Sequence, residues 1–242
     1  MAALDLREVK ALTFDVGGTV FDWHSTLRDE LDAMARARGW ELDGAAFANA
    51  WRAMMFQLLG KVRDGALPWM NADQLHRMAI DEIAPRFPAF ELDAAGRDGL
   101  NMTWHRLRAW PDFPRALQRL KTRYTVVVLT VLSWSLVVDS SKYNGLGWDG
   151  ILSCEFLGHY KPAPEAYQAG VRMLGLQPDQ VMMVAAHPWD LQAAANAGLR
   201  TAYVPRPGER GEGNDGDLAA PPFVDVAASD FPDLAAKLVP AD

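Results

Sequence analysis

Hydrophobic and polar positions divide the chain into two kinds of pattern. Residues 11–14 form a short apolar run that ends at Asp15 and passes directly into Val16-Gly17-Gly18-Thr19. This predicts a buried strand at 12–14 that delivers a carboxylate into a tight loop. From 24 to 105 the apolar positions fall at helical spacing. Leu27, Leu31 and Met34 share one face, and Phe47, Trp51, Met54, Met55 and Leu58 share another. Pro68, Pro85 and Pro88 break this stretch into separate helices, and Trp110-Pro111-Asp112 marks a change of regime. Beyond it, apolar runs alternate with helical segments and predict strands at 125–129, 151–153, 181–184, 201–204 and 223–226.

Alternation of strand and helix predicts an α/β fold, a Rossmann-like parallel sheet with helices on both faces. The first strand is separated from its sheet mates by the helical block. The expected organisation is therefore a core of residues 1–23 and 106–242 with a helical cap, 24–105, inserted into it. Ligands bind such sheets at the carboxyl ends of their strands, where Asp15, Thr130 and the 185–190 loop fall. The cap is expected to close over that edge. The segment 208–222, rich in Gly, Asp, Glu and Pro, reads as a mobile surface loop.

Composition narrows the function classes. The 242 residues carry 24 Lys and Arg against 31 Asp and Glu, a net charge of -7, so a nucleic-acid or anionic-membrane partner is not expected. Half the residues are hydrophobic and 23% charged, which suits a folded domain with a sizeable core. Cys154 is the only cysteine, so neither an intrachain disulfide nor a Cys-based zinc site can close. A reducing cytoplasm is the expected compartment. Residues 1–10 lack the order of a signal peptide, and no apolar run reaches the length of a membrane span.

Candidate chemistry gathers at the predicted strand ends. Asp15 reads either as a turn cap or as a nucleophile held rigidly at a strand end beside backbone N–H groups. Lys161 opens Lys161-Pro162-Ala163-Pro164-Glu165-Ala166-Tyr167, and the strand at 181–184 runs into Ala185-Ala186-His187-Pro188-Trp189-Asp190. Each of these polar groups also has a plain structural reading. Lys161 suits a surface, Arg52 can snorkel from a packed helix, His187 can bond loop backbone, and Tyr167 can be packing.

The order Asp15, Thr130, Lys161, Asp190 resembles the four motifs of the haloacid dehalogenase superfamily, over nearly the whole chain. Within it the chain most resembles the type II, or L-2-haloacid, dehalogenases. The likeness lies in Phe14-Asp15-Val16, Asp22-Trp23, Trp51-Arg52, Leu67-Pro68-Trp69, Trp104-His105-Arg106-Leu107, residues 160–167 and Ala185-Ala186-His187. The resemblance implies the fold of that superfamily, with the helical insert as its cap. It implies a cofactor-free hydrolase of small 2-substituted carboxylic acids, acting on a 2-haloacid through an aspartyl ester to give a 2-hydroxy acid. Asp15 is then the nucleophile and Lys161 its charge partner. His187 would orient or deprotonate the water, with Asp190 holding Lys161 or His187. Gly17, Thr19, Arg52, Thr130, Val131, Leu132 and Tyr167 are expected around the substrate, with Arg52 on the halide or the carboxylate and Tyr167 in support of Asp15 or Asp190. No metal is expected, and a homodimer is compatible with the reading.

Departures from the type II pattern widen the choice. Gly17 stands where those enzymes carry an aromatic, and Thr130-Val131-Leu132 where they carry Ser-Asn-Gly. The expected result is a roomier, more apolar pocket, with backbone N–H groups after Thr130 left to hold a carboxylate. That room admits a second activity, ring opening of azetidine-2-carboxylate by the same covalent route. A magnesium phosphatase would need an acid at position 17 and a metal-binding Asp at 186, where Gly17 and Ala186 stand. A non-catalytic scaffold would not require this charged set at all.

Overall fold

A computed structural model describes residues 8–213 and 218–240. Most of the segment read as lacking a leader, residues 1–7, lies outside the described residues, as do positions 214–217 of the 208–222 segment. The elements in chain order begin with β1 (Ala11–Phe14), β2 (Phe21–Asp22), α1 (Trp23–Arg38), α2 (Gly44–Arg63), α3 (Ala72–Ile83) and α4 (Ala94–Asn101). There follow β3 (Arg108–Ala109), α5 (Phe113–Leu120), β4 (Thr125–Thr130), α6 (Trp134–Tyr143), β5 (Gly150–Ser153), α7 (Cys154–Leu157) and α8 (Pro164–Leu174). The chain closes with β6 (Val181–Ala185), α9 (Pro188–Asn196), β7 (Arg200–Tyr203), β8 (Val226–Ala227) and α10 (Phe231–Leu238).

Six strands form one parallel sheet in the order β5-β4-β1-β6-β7-β8. The β1 strand is central, with Phe14 opposite Val128 of β4 and Val184 of β6. Asp15, Thr130 and Ala186 therefore emerge at one edge of the sheet. Successive residues face opposite layers, as the pleat requires. Phe14, Val126, Val128, Met182 and Val184 pack on one side with Phe113, Phe231 and Leu234, whereas Val127, Leu129, Met183 and Ala185 pack on the other with Tyr167, Val171 and Leu191. A sheet buried on both faces explains the near-continuous apolar runs of its strands.

Helices α1 to α4 lie in sequence between β2 and β3, which pair antiparallel with Phe21 opposite Ala109 and Asp22 opposite Arg108. This two-stranded ribbon, which periodicity does not reveal, joins the points where the chain leaves the sheet layer and returns to it. Asp22 also starts α1, its carboxylate accepting the Ser25 N–H at 2.9 Å. Asp43, Asn71 and Asp93 cap α2, α3 and α4 in the same way. The apolar face of α2 is buried as its spacing predicts, through Phe47, Trp51, Met54, Met55 and Leu58.

The strand expected at 223–226 is displaced to Val226–Ala227. The Asp225 carboxylate accepts the Thr201 N–H at 2.8 Å and so does the pairing that a strand backbone would have done, while Phe223 and Val224 pack as a turn against the core. Among the described residues, no helix is long and apolar enough to cross a membrane.

Candidate active site

Asp15 stands one residue beyond β1, its backbone N–H tied to the Val184 carbonyl at 3.0 Å. It is 5% exposed, and three groups converge on its carboxylate. Lys161 Nζ lies 3.2 Å from Oδ1, while the Thr19 hydroxyl donates to Oδ2 at 2.7 Å and His187 Nδ1 lies 3.1 Å from Oδ2. Burial pushes the Asp15 pKa up. The Lys161 charge, the hydrogen bond and charge of His187, and the Thr19 hydroxyl outweigh burial and hold it well below the ordinary carboxylate range. A buried carboxylate kept ionised in this way has the chemistry of a nucleophile, and among the described residues none of its oxygens receives a helix N–H as a cap's would.

Lys161 is itself sealed from solvent and bridges Asp15 to Asp190, with Nζ 2.6 Å from Asp190 Oδ2. Burial lowers its pKa, but the charges of Asp15 and Asp190 raise it above the ordinary lysine value, so it remains an ammonium. Tyr167 donates to Asp190 Oδ1 at 2.5 Å. Burial and the nearby Asp15 push Asp190 upward despite Lys161 and Tyr167. Tyr167, expected beside the substrate, is thus fully buried behind Asp190. Thr19, also expected beside the substrate, instead bonds Asp15, and its oxygen accepts the Ala186 N–H at 3.0 Å.

His187 connects Asp15 to a residue that sequence reading missed. Its Nε2 lies 3.0 Å from both carboxylate oxygens of Glu209, which also accepts the Trp23 indole N–H at 3.1 Å. Glu209 belongs to the segment expected to be a mobile surface excursion, yet its side chain is only 13% exposed. Gly18 makes this approach feasible. It sits at φ +103°, and a Cβ there would come within 2.0 Å of Glu209 Oε1. Burial lowers the His187 pKa, but Glu209 and Asp15 together raise it to about 10. Glu209 moves the other way: burial raises it, and the His187 charge, the hydrogen bonds from His187 and Trp23, and Arg52 bring it below its ordinary value. A carboxylate on each side of the ring favours the charged form of His187, in which both ring nitrogens donate. In that form the ring has no free lone pair, so the expected role as a base requires that one proton first leave.

Arg52 projects from α2 and is 7% exposed. Its guanidinium lies 4.6 Å from the Phe56 ring and 5.5 Å from each of Trp23 and Trp104, and Nη2 donates to the Gly17 carbonyl at 3.1 Å. Its Nη1 is buried with no hydrogen-bond partner among the described residues. Burial lowers the Arg52 pKa to about 10 against the pull of Glu209 and Asp15, which leaves it charged at neutral pH.

The space expected beside Gly17 is not empty. A Cβ at that position would lie 2.9 Å from Arg52 Nη2 and 3.5 Å from Leu132 Cδ1. Thr130, Val131 and Leu132 are all buried, and Thr130 Oγ1 accepts the Leu132 N–H at 3.1 Å. The Trp134 N–H at the start of α6 donates to Glu155. Two backbone donors expected to hold a substrate carboxylate are therefore already engaged. The open volume lies elsewhere: a cavity of about 430 Å³ lined by Trp23, Arg52, Phe56, His187, Glu209 and Arg210 among others. A second, of about 400 Å³, shares Phe56, Trp189 and Arg210 with it and reaches Lys161.

Magnesium, used by phosphatases of the superfamily named above, does not fit these residues. Ala186 offers no oxygen side chain at the position where those enzymes place a metal-binding Asp, and Gly17 offers no acid two residues after Asp15. Among the described residues no group of three or more His, Cys, Asp or Glu is arranged to hold a metal ion.

Comparison with known proteins agrees with this geometry. A family model for haloacid dehalogenase-like hydrolases matches residues 9–198. The (S)-2-haloacid dehalogenase 4A of Burkholderia cepacia is 29% identical over 207 residues, covering 83% of this chain and 84% of its own. The crystal structure of the L-2-haloacid dehalogenase PA0810 is similar with a TM-score of 0.91 and 39% identity, over 96% of this chain and all of that one. The defluorinating L-2-haloacid dehalogenase Rha0230 gives a TM-score of 0.90 and 36% identity, over 95% of each chain. The chain belongs to the haloacid dehalogenase-like hydrolases and, within that superfamily, to the L-2-haloacid dehalogenase type.

Proposed function

We propose that this protein hydrolyses a small 2-haloacid to a 2-hydroxy acid, without a metal, through an ester on Asp15. Asp15 attacks the carbon bearing the halogen in line, the carbon–halogen electrons leave with the halide, and an aspartyl ester forms. Water then attacks the ester carbonyl, returning the carboxylate and releasing a product of inverted configuration. Lys161 keeps the nucleophile ionised and faces the oxygen that gains charge when water adds.

The observation that carries this reading is the Arg52 guanidinium: buried, walled by aromatic rings, and with one donor nitrogen that has no partner among the described residues. A departing halide is a weakly hydrated anion, and such a cradle stabilises it as it leaves. The relatives with 36–39% identity are L-2-haloacid dehalogenases, which supports the same substrate class. The substrate carboxylate needs a second cation. Arg210 lines both cavities, and its side chain makes no contact with a protein carboxylate among the described residues. We assign residues 24–105 as the cap, since it supplies Arg52 and Phe56 over the sheet edge.

Ring opening of azetidine-2-carboxylate is the weaker reading. It rested on room beside Gly17, which Arg52 and Leu132 fill, and a departing ring amine gains nothing from a buried cation. The test is to incubate the protein with (S)-2-chloropropionate and with azetidine-2-carboxylate, both in excess EDTA. Equimolar chloride and (R)-lactate are expected from the first. Release of no halide from any 2-haloacid, with ring opening of the second, would overturn the assignment.

A further inference from the structure

The covalent route leaves one requirement open: a base for the water that attacks the ester. Lys161 is an ammonium enclosed by two carboxylates, and Asp190 is engaged by Lys161 and Tyr167 away from the cavity. His187 is the remaining group that touches both Asp15 and open volume. In the resting site, however, both ring nitrogens face carboxylates: Asp15 on Nδ1 and Glu209 on Nε2. The other neighbours do not compete for its protons. Trp189 stacks on the ring at 6.0 Å, Arg52 acts on the Glu209 side, and Lys161 lies beyond Asp15.

We propose that Glu209 positions His187 as the base of the second half-reaction, and that esterification of Asp15 converts His187 from a proton holder to a proton acceptor. This rests on the covalent-ester reading. Ester formation replaces the Asp15 charge with a neutral group, so His187 loses one of the two anions that stabilise its proton. The Nδ1 proton then leaves to solvent in the cavity. Neutral His187, held by Glu209 on Nε2, presents the Nδ1 lone pair toward the ester carbonyl. It takes one proton from the attacking water as the water oxygen bonds to Cγ of Asp15. The tetrahedral adduct reforms its carbonyl, the bond from Cγ to the substrate oxygen breaks, and the product alkoxide takes the remaining hydroxyl proton. Asp15 is again a carboxylate and His187 an imidazolium. The sum is haloacid plus water giving hydroxy acid, halide and one proton. Glu209 touches neither substrate nor water. It orients the ring and supports its basicity, as a carboxylate behind an imidazole does.

Two measurements decide the proposal. The first needs no substrate: the His187 ring is followed by nitrogen NMR across pH in the wild type and in Asp15→Asn, with His187→Gln identifying its signals. The wild-type ring should stay charged past pH 8, and Asp15→Asn, a neutral isostere of the esterified side chain, should lower its midpoint by at least about one unit. An unchanged midpoint overturns the switch. The second is rapid-quench chloride release by Glu209→Gln. One equivalent of halide should appear at the wild-type rate, followed by turnover slowed about 100-fold and an ester mass on the Asp15 peptide. Unchanged turnover, or a burst slowed as much as turnover, overturns the role of Glu209. If the wild type releases no halide from any 2-haloacid, the dehalogenase reading fails, while the NMR measurement still decides the switch.

Discussion

Gly17 and Arg52, 35 positions apart in sequence, share one volume: a Cβ on Gly17 would lie 2.9 Å from Arg52 Nη2, which donates to the Gly17 carbonyl. The missing side chain is the condition for the guanidinium to reach the loop that follows Asp15. Gly17→Phe should therefore displace Arg52 rather than tune substrate size. A misplacement of about 1 Å is enough to cost on the order of 100-fold. Steady-state kinetics on 2-chloropropionate should show that loss in kcat for Gly17→Phe and a smaller one for Gly17→Ala. Wild-type kcat in Gly17→Phe with a narrowed substrate range would show that position 17 shapes the pocket instead.

Arg210 is assigned to the substrate carboxylate because it lines both cavities and, among the described residues, its side chain forms no ion pair. It is exposed at the cavity wall, so its contribution is modest, about 1 kcal/mol. Arg210→Ala should raise KM roughly fivefold and leave kcat nearly unchanged. An equal fall in kcat would place Arg210 on the transition state rather than on the bound carboxylate.

How much of this arrangement could be read along the chain depends on how local each cause is. The strand that delivers Asp15, the apolar face of α2 around Arg52 and the placing of Lys161 before Pro162 are local patterns, and the fold uses all three. Glu209 escaped because its neighbours are glycines and charges, the composition of a solvated loop. Its burial depends on Trp23, His187 and the bare Gly18, all distant in sequence. The nearest sequence signal is Gly18 itself, whose lack of a side chain hints that something approaches closely. Gly17 misled in the opposite direction. A missing side chain reads as room until the fold shows which residue fills it. The misplaced final strand has a similar cause, since Asp225 satisfies the Thr201 N–H through its side chain.

Metal independence is expected because Gly17 and Ala186 offer no oxygen side chain for a magnesium ion beside Asp15. Halide release should be unchanged after prolonged treatment with EDTA and unaffected by added magnesium. Loss of activity on chelation, restored by magnesium, would mean that the working site holds a metal and would favour the phosphatase reading.

The raised pKa of His187 sets a direction for stability against pH. A group whose pKa is higher in the folded state stabilises the fold fully below its unfolded value, near 6.5 for histidine, and loses that contribution as pH rises through the folded value, about 10. The Tm should therefore fall between pH 7 and pH 10, and fall less steeply in His187→Gln. Parallel profiles for the two proteins would show that the ring is neutral in the resting fold.

The most direct test of the covalent account is a single turnover in water enriched in oxygen-18, with enzyme in excess over (S)-2-chloropropionate. Attack of water on the ester carbonyl of Asp15 predicts unlabelled lactate and a gain of about 2 Da on the peptide containing Asp15, with label entering the product only in later turnovers. Labelled lactate in the first turnover, together with an unlabelled Asp15 peptide, would mean that water attacks the substrate carbon directly, and would contradict the account.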